Sequence, residues 1–220
     1  MISLLDILKK RLLSWLRNPD GPRAWFYRGG RVEFKGNYKN GQPDGYWEMF
    51  YENGQLEFKG NYKDGKRDGP WEMFYEDGRL KVKGSSSDGK PDGCFERFCE
   101  DGRLWERSIY KEGEREGLLE KFHPNGQLKA KGNYKDDKLN GLWESYYEDG
   151  QLRQRGTYKN SNRDGLWEFY YKKGQLGKKG IYKDGDEEGV WEYFDERGEL
   201  AEKRNYKEGY CTSRSGRRVA

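Results

Sequence analysis

The stretch GNYKDGKRDGPWEMFYEDGRL at residues 60–80 returns as GNYKDDKLNGLWESYYEDGQL at residues 132–152. Working outward from these two copies, tryptophan keeps one phase of 24 residues at Trp47, Trp71, Trp143, Trp167 and Trp191, and Phe95 and Leu119 fill the open slots. A fixed period without insertions means one supersecondary unit stacked many times, each burying its apolar side against its neighbours. Such a chain makes an extended surface and not a single enclosed pocket.

Each unit carries two glycine signals. One stands two residues before the tryptophan slot (Gly45, Gly69, Gly141), the other nine residues later (Gly54, Gly78, Gly150) and mostly after Asn or Asp. Asn-Gly or Asp-Gly between aromatic-rich runs signals a hairpin. With Asn53-Gly54 as a two-residue turn, Tyr51 opposes Leu56, Met49 opposes Phe58, Glu48 opposes Lys59 and Trp47 covers Gly60. Trp47, Met49, Tyr51, Leu56, Phe58 and Tyr62 then share one face. The same register pairs Glu72 with Lys83, Glu120 with Lys131, Glu144 with Arg155, Glu168 with Lys179 and Glu192 with Lys203. The aromatic column Phe50, Phe74, Phe98, Tyr146, Tyr170 and Phe194 shares parity with the glutamates. It needs either a bulge that turns it inward or a second aromatic stripe under lysine stems.

The expected fold is therefore all-β: an elongated single-layer antiparallel meander of about eight 24-residue hairpin repeats over residues 20–210. At about 4.8 Å per strand the array approaches roughly 75–80 Å. Residues 1–18 read as a short amphipathic α-helix, with Leu4, Leu5, Leu8, Leu12, Trp15 and Leu16 on one stripe, stopped at Asn18-Pro19-Asp20-Gly21. That helix has two readings, a cap over a sheet edge or an anchor on a membrane surface. Residues 211–220 read as a basic, disordered tail.

Composition agrees with a thin, solvated repeat protein: 37% of residues are charged, yet 16% are aromatic and held in phase. The net charge of +4 sits at the ends. Residues 1–23 hold five Lys/Arg against two Asp and the last ten hold three Arg and no acid, which leaves 35 bases against 37 acids between. Such balance does not make a nucleic-acid binder. Three cysteines without framework spacing imply a reducing, cytoplasmic setting. No stretch is apolar for the roughly 20 residues of a membrane span.

Chemistry finds little footing. Glutamates of equivalent columns lie about 10 Å apart and each has a basic partner, so they are not paired catalytic carboxylates. His123 and Cys99 occupy one slot in successive repeats, too far apart for a shared metal and without further ligands. The Asp-Gly turns lack the spacing of a calcium loop, and no phosphate loop or nucleophile motif occurs. No enzyme, cofactor or metal is expected.

The unit with Tyr62-Lys63-Asp64-Gly65-Lys66, Asp68-Gly69 and Trp71-Glu72, and again Tyr134-Lys135 with Gly141-Leu142-Trp143-Glu144, resembles the bacterial variant form of the MORN repeat, as in YwqK-like antitoxins, over residues 21–209. The resemblance implies a non-catalytic, protein-binding array that neutralises a partner toxin by covering it. A structural scaffold or membrane-associated adaptor using residues 1–18 is the alternative. Departures are Arg23-Ala24 in place of Trp-Glu, Ser85-Ser86-Ser87, Phe95, Leu119, and Ser108 in place of Gly. Rings make interface anchors, so the partner-binding residues are sought among the exposed members of Trp71, Tyr75, Tyr147, Trp167 and Tyr171. Oligomeric state is left open.

Overall fold

The computed structural model describes residues 20–216, and the chain divides after Gly102 into two compact units. The first holds β1 (Gly21–Phe26), β2 (Val32–Lys39), β3 (Gln42–Phe50), β4 (Leu56–Lys63), β5 (Lys66–Phe74), β6 (Leu80–Ser87), β7 (Lys90–Pro91) and β8 (Gly93–Phe98). The second holds β9 (Leu104–Lys111), β10 (Glu114–Phe122), β11 (Leu128–Lys135), β12 (Lys138–Tyr146), β13 (Leu152–Lys159), β14 (Asn162–Tyr170), β15 (Leu176–Lys183), β16 (Asp186–Phe194), β17 (Leu200–Lys207) and β18 (Tyr210–Gly216).

Within each unit successive strands pair antiparallel, except that β7 and β8 do not pair with each other and both pair with β6. Each unit is thus one all-β antiparallel meander, as expected. The helix expected over residues 1–18 lies outside the described residues. The tail is corrected in part. Cys211–Gly216 belong to β18, with Asn205 facing Ser213 and Arg204 facing Arg214. The edge of β17 offers backbone partners, and pairing with it needs none of the repeat's side chains.

The turns differ from expectation in an instructive way. Asn53-Gly54 is not a two-residue turn. Tyr51 N–H donates to the Gln55 carbonyl at 2.8 Å, and Gly54 N–H to the Tyr51 carbonyl at 2.8 Å. Gly54 has a φ of 90°. This is a three-residue loop built on a type I turn and closed by glycine in a bulge. The odd residue shifts the register between Met49 and Phe50, so Phe50 and not Tyr51 faces Leu56. Leu56 consequently leaves the tryptophan face. The inner pairs Trp47–Gly60, Glu48–Lys59 and Met49–Phe58 stand as expected.

The two-residue turns lie at the other end. Lys39 faces Gln42 across Asn40-Gly41, whose φ values of 50° and 73° are both left-handed. The glycines before each tryptophan are not turns at all. Gly45 sits inside β3, where Asp44, Gly45 and Tyr46 stand against the single residue Asn37 in a wide bulge. The acid beside several of these glycines has its own task. The backbone N–H of Asp136 donates to Glu116 Oε2 at 3.1 Å and that of Glu208 to Glu188 Oε2 at 3.0 Å, tying one turn to the repeat before it.

The tryptophans form the core. Trp47, Trp167 and Trp191 are buried, in edge-on or tilted contact with Tyr62, Tyr182 and Tyr206. The indole leans over the glycine of the preceding strand and not the following one. A Cβ at Gly60 would lie 2.6 Å from Trp71 Cβ, and one at Gly132 would lie 2.5 Å from the Trp143 ring. Trp47 accordingly covers Gly36, while Trp71 covers Gly60. The last member of the glycine column is Arg204, which faces Trp191 on β16, while on the following strand, where the covering indole would come, it faces Arg214.

Candidate protein-binding face

Of the sheet's two faces, the aromatic one is occupied by its own lids. Arg67 lies 5.5 Å over Phe58 and 5.4 Å over Trp71. Arg163 lies 4.6 Å over Trp167 and 5.1 Å over Tyr182, and Lys178 lies 4.7 Å over Phe169 and 4.9 Å over Trp191. Long cationic side chains lay their stems on the rings and keep their charge in water, which is how a single sheet closes an apolar face.

The residues expected to anchor a partner belong largely to this scaffold. Trp71 is 8% exposed and gives its indole N–H to Ser86 Oγ at 3.0 Å. Trp167 is 0% exposed and donates to the Thr157 carbonyl at 3.0 Å. The exposure that would make either an anchor is missing. Tyr75, Tyr147 and Tyr171 are half-buried staples, their hydroxyls donating to the carbonyls of Phe98, Tyr170 and Phe194 at 2.8, 2.7 and 2.8 Å. Each bond ties one hairpin's loop to the next hairpin. His123 fills the same role, its Nε2 lying 2.9 Å from the Tyr146 carbonyl. A carbonyl only accepts, so Nε2 carries the proton.

The second face carries the glutamates and, beside them, the unassigned aromatic column. Lys35 Nζ stands 5.4 Å from the Phe50 ring centroid and Lys59 Nζ 5.5 Å from that of Phe74, while the Tyr146 hydroxyl donates to Glu144 at 2.7 Å. The column is thus a second stripe under lysine stems. The ion pairs mostly choose the other neighbour than expected. Lys35 pairs with Glu48 at 2.6 Å, Lys59 with Glu72 at 2.7 Å, Lys131 with Glu144 at 2.8 Å, and Arg155 with Glu168. Each glutamate stands between bases on both adjacent strands and needs only one. Glu192 takes Lys179 and Lys203 together, at 3.2 and 2.8 Å.

Alongside this ladder runs a column absent from the expected site. The residue between the bulge glycine and each tryptophan points to the ladder face, and in the second unit it is Leu118, Leu142, Leu166 and Val190, 41%, 53%, 55% and 57% exposed. The intervening strands place Asn133, Thr157, Ile181 and Asn205 opposite them. In the first unit the column is Tyr46, Pro70 and Cys94, and with Asn61, Lys83 and Ser85 it borders a groove of about 570 Å³. The signal was in the sequence, at the same 24-residue period and opposite parity to tryptophan.

The family of the MORN repeat variant matches residues 19–40, 43–64, 67–88, 115–136, 139–160, 163–184 and 187–208. The chain is a MORN-variant repeat protein. From residue 43 onward each matched segment runs from one two-residue turn to the next, so that one MORN repeat is one hairpin around a three-residue loop. The gap at residues 89–114 falls where Phe95 and Ser108 depart from the pattern. No curated protein matches the chain. Two solved structures bearing the titles "Crystal Structure of TcdB2-TccC3-TEV" and "Crystal Structure of TcdB2-TccC3-Cdc42" match at 12% and 11% identity, each with a TM-score of 0.23. In both, 86% of this chain is covered and 12% of the other. A likeness so low carries no argument.

The electrostatics of the MORN repeats are structural. Hydrogen bonding from Lys131 holds Glu144 below the usual carboxylate range, and Lys203 and Lys179 do the same for Glu192. At Glu168 burial pulls upward, but Arg155 and Tyr170 outweigh it and the net shift is down. Burial raises the Tyr146 and Tyr170 phenols. Acids pushed down and phenols pushed up are not poised for proton transfer near neutrality. Among the described residues no group of three His, Cys, Asp or Glu converges as a metal site, and no helix is long and apolar enough to cross a membrane.

Proposed function

We propose that this chain is a non-catalytic protein-binding array, and that it neutralises its partner, a toxin in the reading the family resemblance implies, by covering the partner's working surface. The observation that supports this is the division of labour between the faces. The rings, phenols and carboxylates that might do chemistry are spent on holding repeats together, while Leu118, Leu142, Leu166 and Val190 stay exposed in register. Apolar side chains repeated on a solvated face mark an interaction surface.

The test is capture on the immobilised full chain, followed by titration calorimetry with the purified protein that elutes. A partner bound at one fixed stoichiometry, whose own activity falls as complex forms, is the expected result. Complete absence of a protein partner, or a complex in which the partner keeps full activity, overturns the neutralising role.

A further inference from the structure

The geometry points to a polyproline-II segment, carrying an aliphatic or proline side chain at every third residue, as the ligand of the exposed column of the second unit. This rests on the protein-binding reading and names the chemistry of what binds.

The argument is one of commensurate spacing. Leu118, Leu142, Leu166 and Val190 stand on β10, β12, β14 and β16, every second strand of one meander. Two strand spacings make about 9.6 Å. A polyproline-II helix advances about 9.3 Å in three residues and returns to the same face. An α-helix offers about 10.5 Å at seven residues. An extended strand offers about 6.8 Å at two. Across the three intervals of this column the polyproline-II ligand slips by about 1 Å and the α-helix by about 2.7 Å. Of the three, the first stays closest to the ridge spacing.

The two strands between the first three ridges supply what that backbone requires, whereas β15 places the exposed apolar Ile181 opposite Leu166. Polyproline II makes no internal hydrogen bonds, so its carbonyls stay available. Asn133 and Thr157 stand exposed opposite Leu118 and Leu142 and offer an amide and a hydroxyl there. An α-helix would bring an apolar stripe with its backbone bonds already closed and leave those groups facing hydrocarbon. Between the first two ridges the surface dips into a hollow of about 220 Å³ lined by Leu118, Asn133, Leu142 and the Lys131–Glu144 pair. That pair is neutralised internally, as is Arg155–Glu168, so the flank beside the first three ridges favours an uncharged ligand.

The experiment uses the full chain, uniformly ¹⁵N-labelled, titrated to about 1 mM with the peptide (Pro-Pro-Leu)₄, a scrambled peptide of equal composition, and a helical peptide with leucine at every seventh position. Amide shifts confined to the neighbourhood of Leu142, Thr157 and Leu166 are expected with the first peptide. Affinity for the scrambled peptide should be about tenfold lower or worse, as should that of the chain carrying Leu142→Asp and Leu166→Asp. Lys173→Ala, outside the column, should bind as the parent does. No shift in the column, unchanged affinity in the double variant, or preference for the helical peptide overturns the proposal. A captured protein partner whose binding ignores the double variant would do so too, and would leave the protein-binding reading standing.

Discussion

Two hairpin junctions of the second unit solve one packing problem differently. Between β13 and β14 the indole of Trp167 lies on Gly156, so close that any Cβ there would overlap the ring, and it donates to the Thr157 carbonyl. Between β9 and β10 the same positions are Ser108 and Leu119, paired across the strands and each 1% exposed. The glycine has gained a side chain and the indole has shrunk to leucine. Read one residue at a time, both look like decay of the repeat. Read as a pair they partly offset each other in volume, and packed interiors tolerate compensated exchange best. The difference teaches that the repeat specifies a filled gap and not a tryptophan.

Double-mutant cycles break or uphold that comparison. Gly156→Ser alone should cost about 3 kcal/mol, through overpacking against Trp167. Trp167→Leu alone should cost a similar amount, through a cavity and a lost hydrogen bond. Together they recreate the β9–β10 junction, and the pair should recover about 2 kcal/mol of the summed loss in denaturant unfolding. Strict additivity would mean that Ser108 and Leu119 are unrelated departures.

The loop staples come next in size. Tyr147→Phe removes the hydroxyl that reaches the Tyr170 carbonyl and should cost about 1 kcal/mol. His123→Phe should cost the same if imidazole and phenol do one job, and a difference of several-fold in unfolding free energy would separate them. Ser108→Ala sharpens the contrast from the other side. The Ser108 hydroxyl is enclosed without a hydrogen-bond partner. Its removal should therefore raise stability, by up to about 1 kcal/mol. A loss of stability would show that the hydroxyl is satisfied in solution.

The smallest effect is that of acid. Glu168 is held below its ordinary value in the folded state, so it adds stability that is complete above the usual glutamate range and disappears as pH falls through the lowered value. Glu168→Gln should flatten that part of the pH profile by well under about 1 kcal/mol, the worth of a pair near the surface. A variant whose unfolding curve keeps the parent's dependence between about pH 5 and 3 would place the acid sensitivity elsewhere.

Much of the fold was legible in the residues because a strict period leaves few alternatives. Pairing of Trp47 with Gly60 and of Glu48 with Lys59 follows from strand alternation and a turn near Gly54. The loop type was not legible, since Asn-Gly suits both a two-residue turn and a three-residue loop closed by a bulge, and only backbone hydrogen bonds tell them apart. The choice of salt-bridge partner escaped for a similar reason: every glutamate has a base on both sides. The exposed column was not legible as a surface because parity alone does not say which aliphatic residues stay in water, and the rings of Trp71, Trp167 and the three tyrosines hold the array together.

By itself the sequence determined the repeat, its strand pairing and the two-faced sheet, since these depend on period and parity alone. The tertiary structure decided which glycine each indole covers, which aromatics are spent as staples, and which apolar residues stay in water. Those outcomes depend on how a bulge tilts a strand and how far a side chain reaches across its neighbours, and neither is encoded in spacing along the chain.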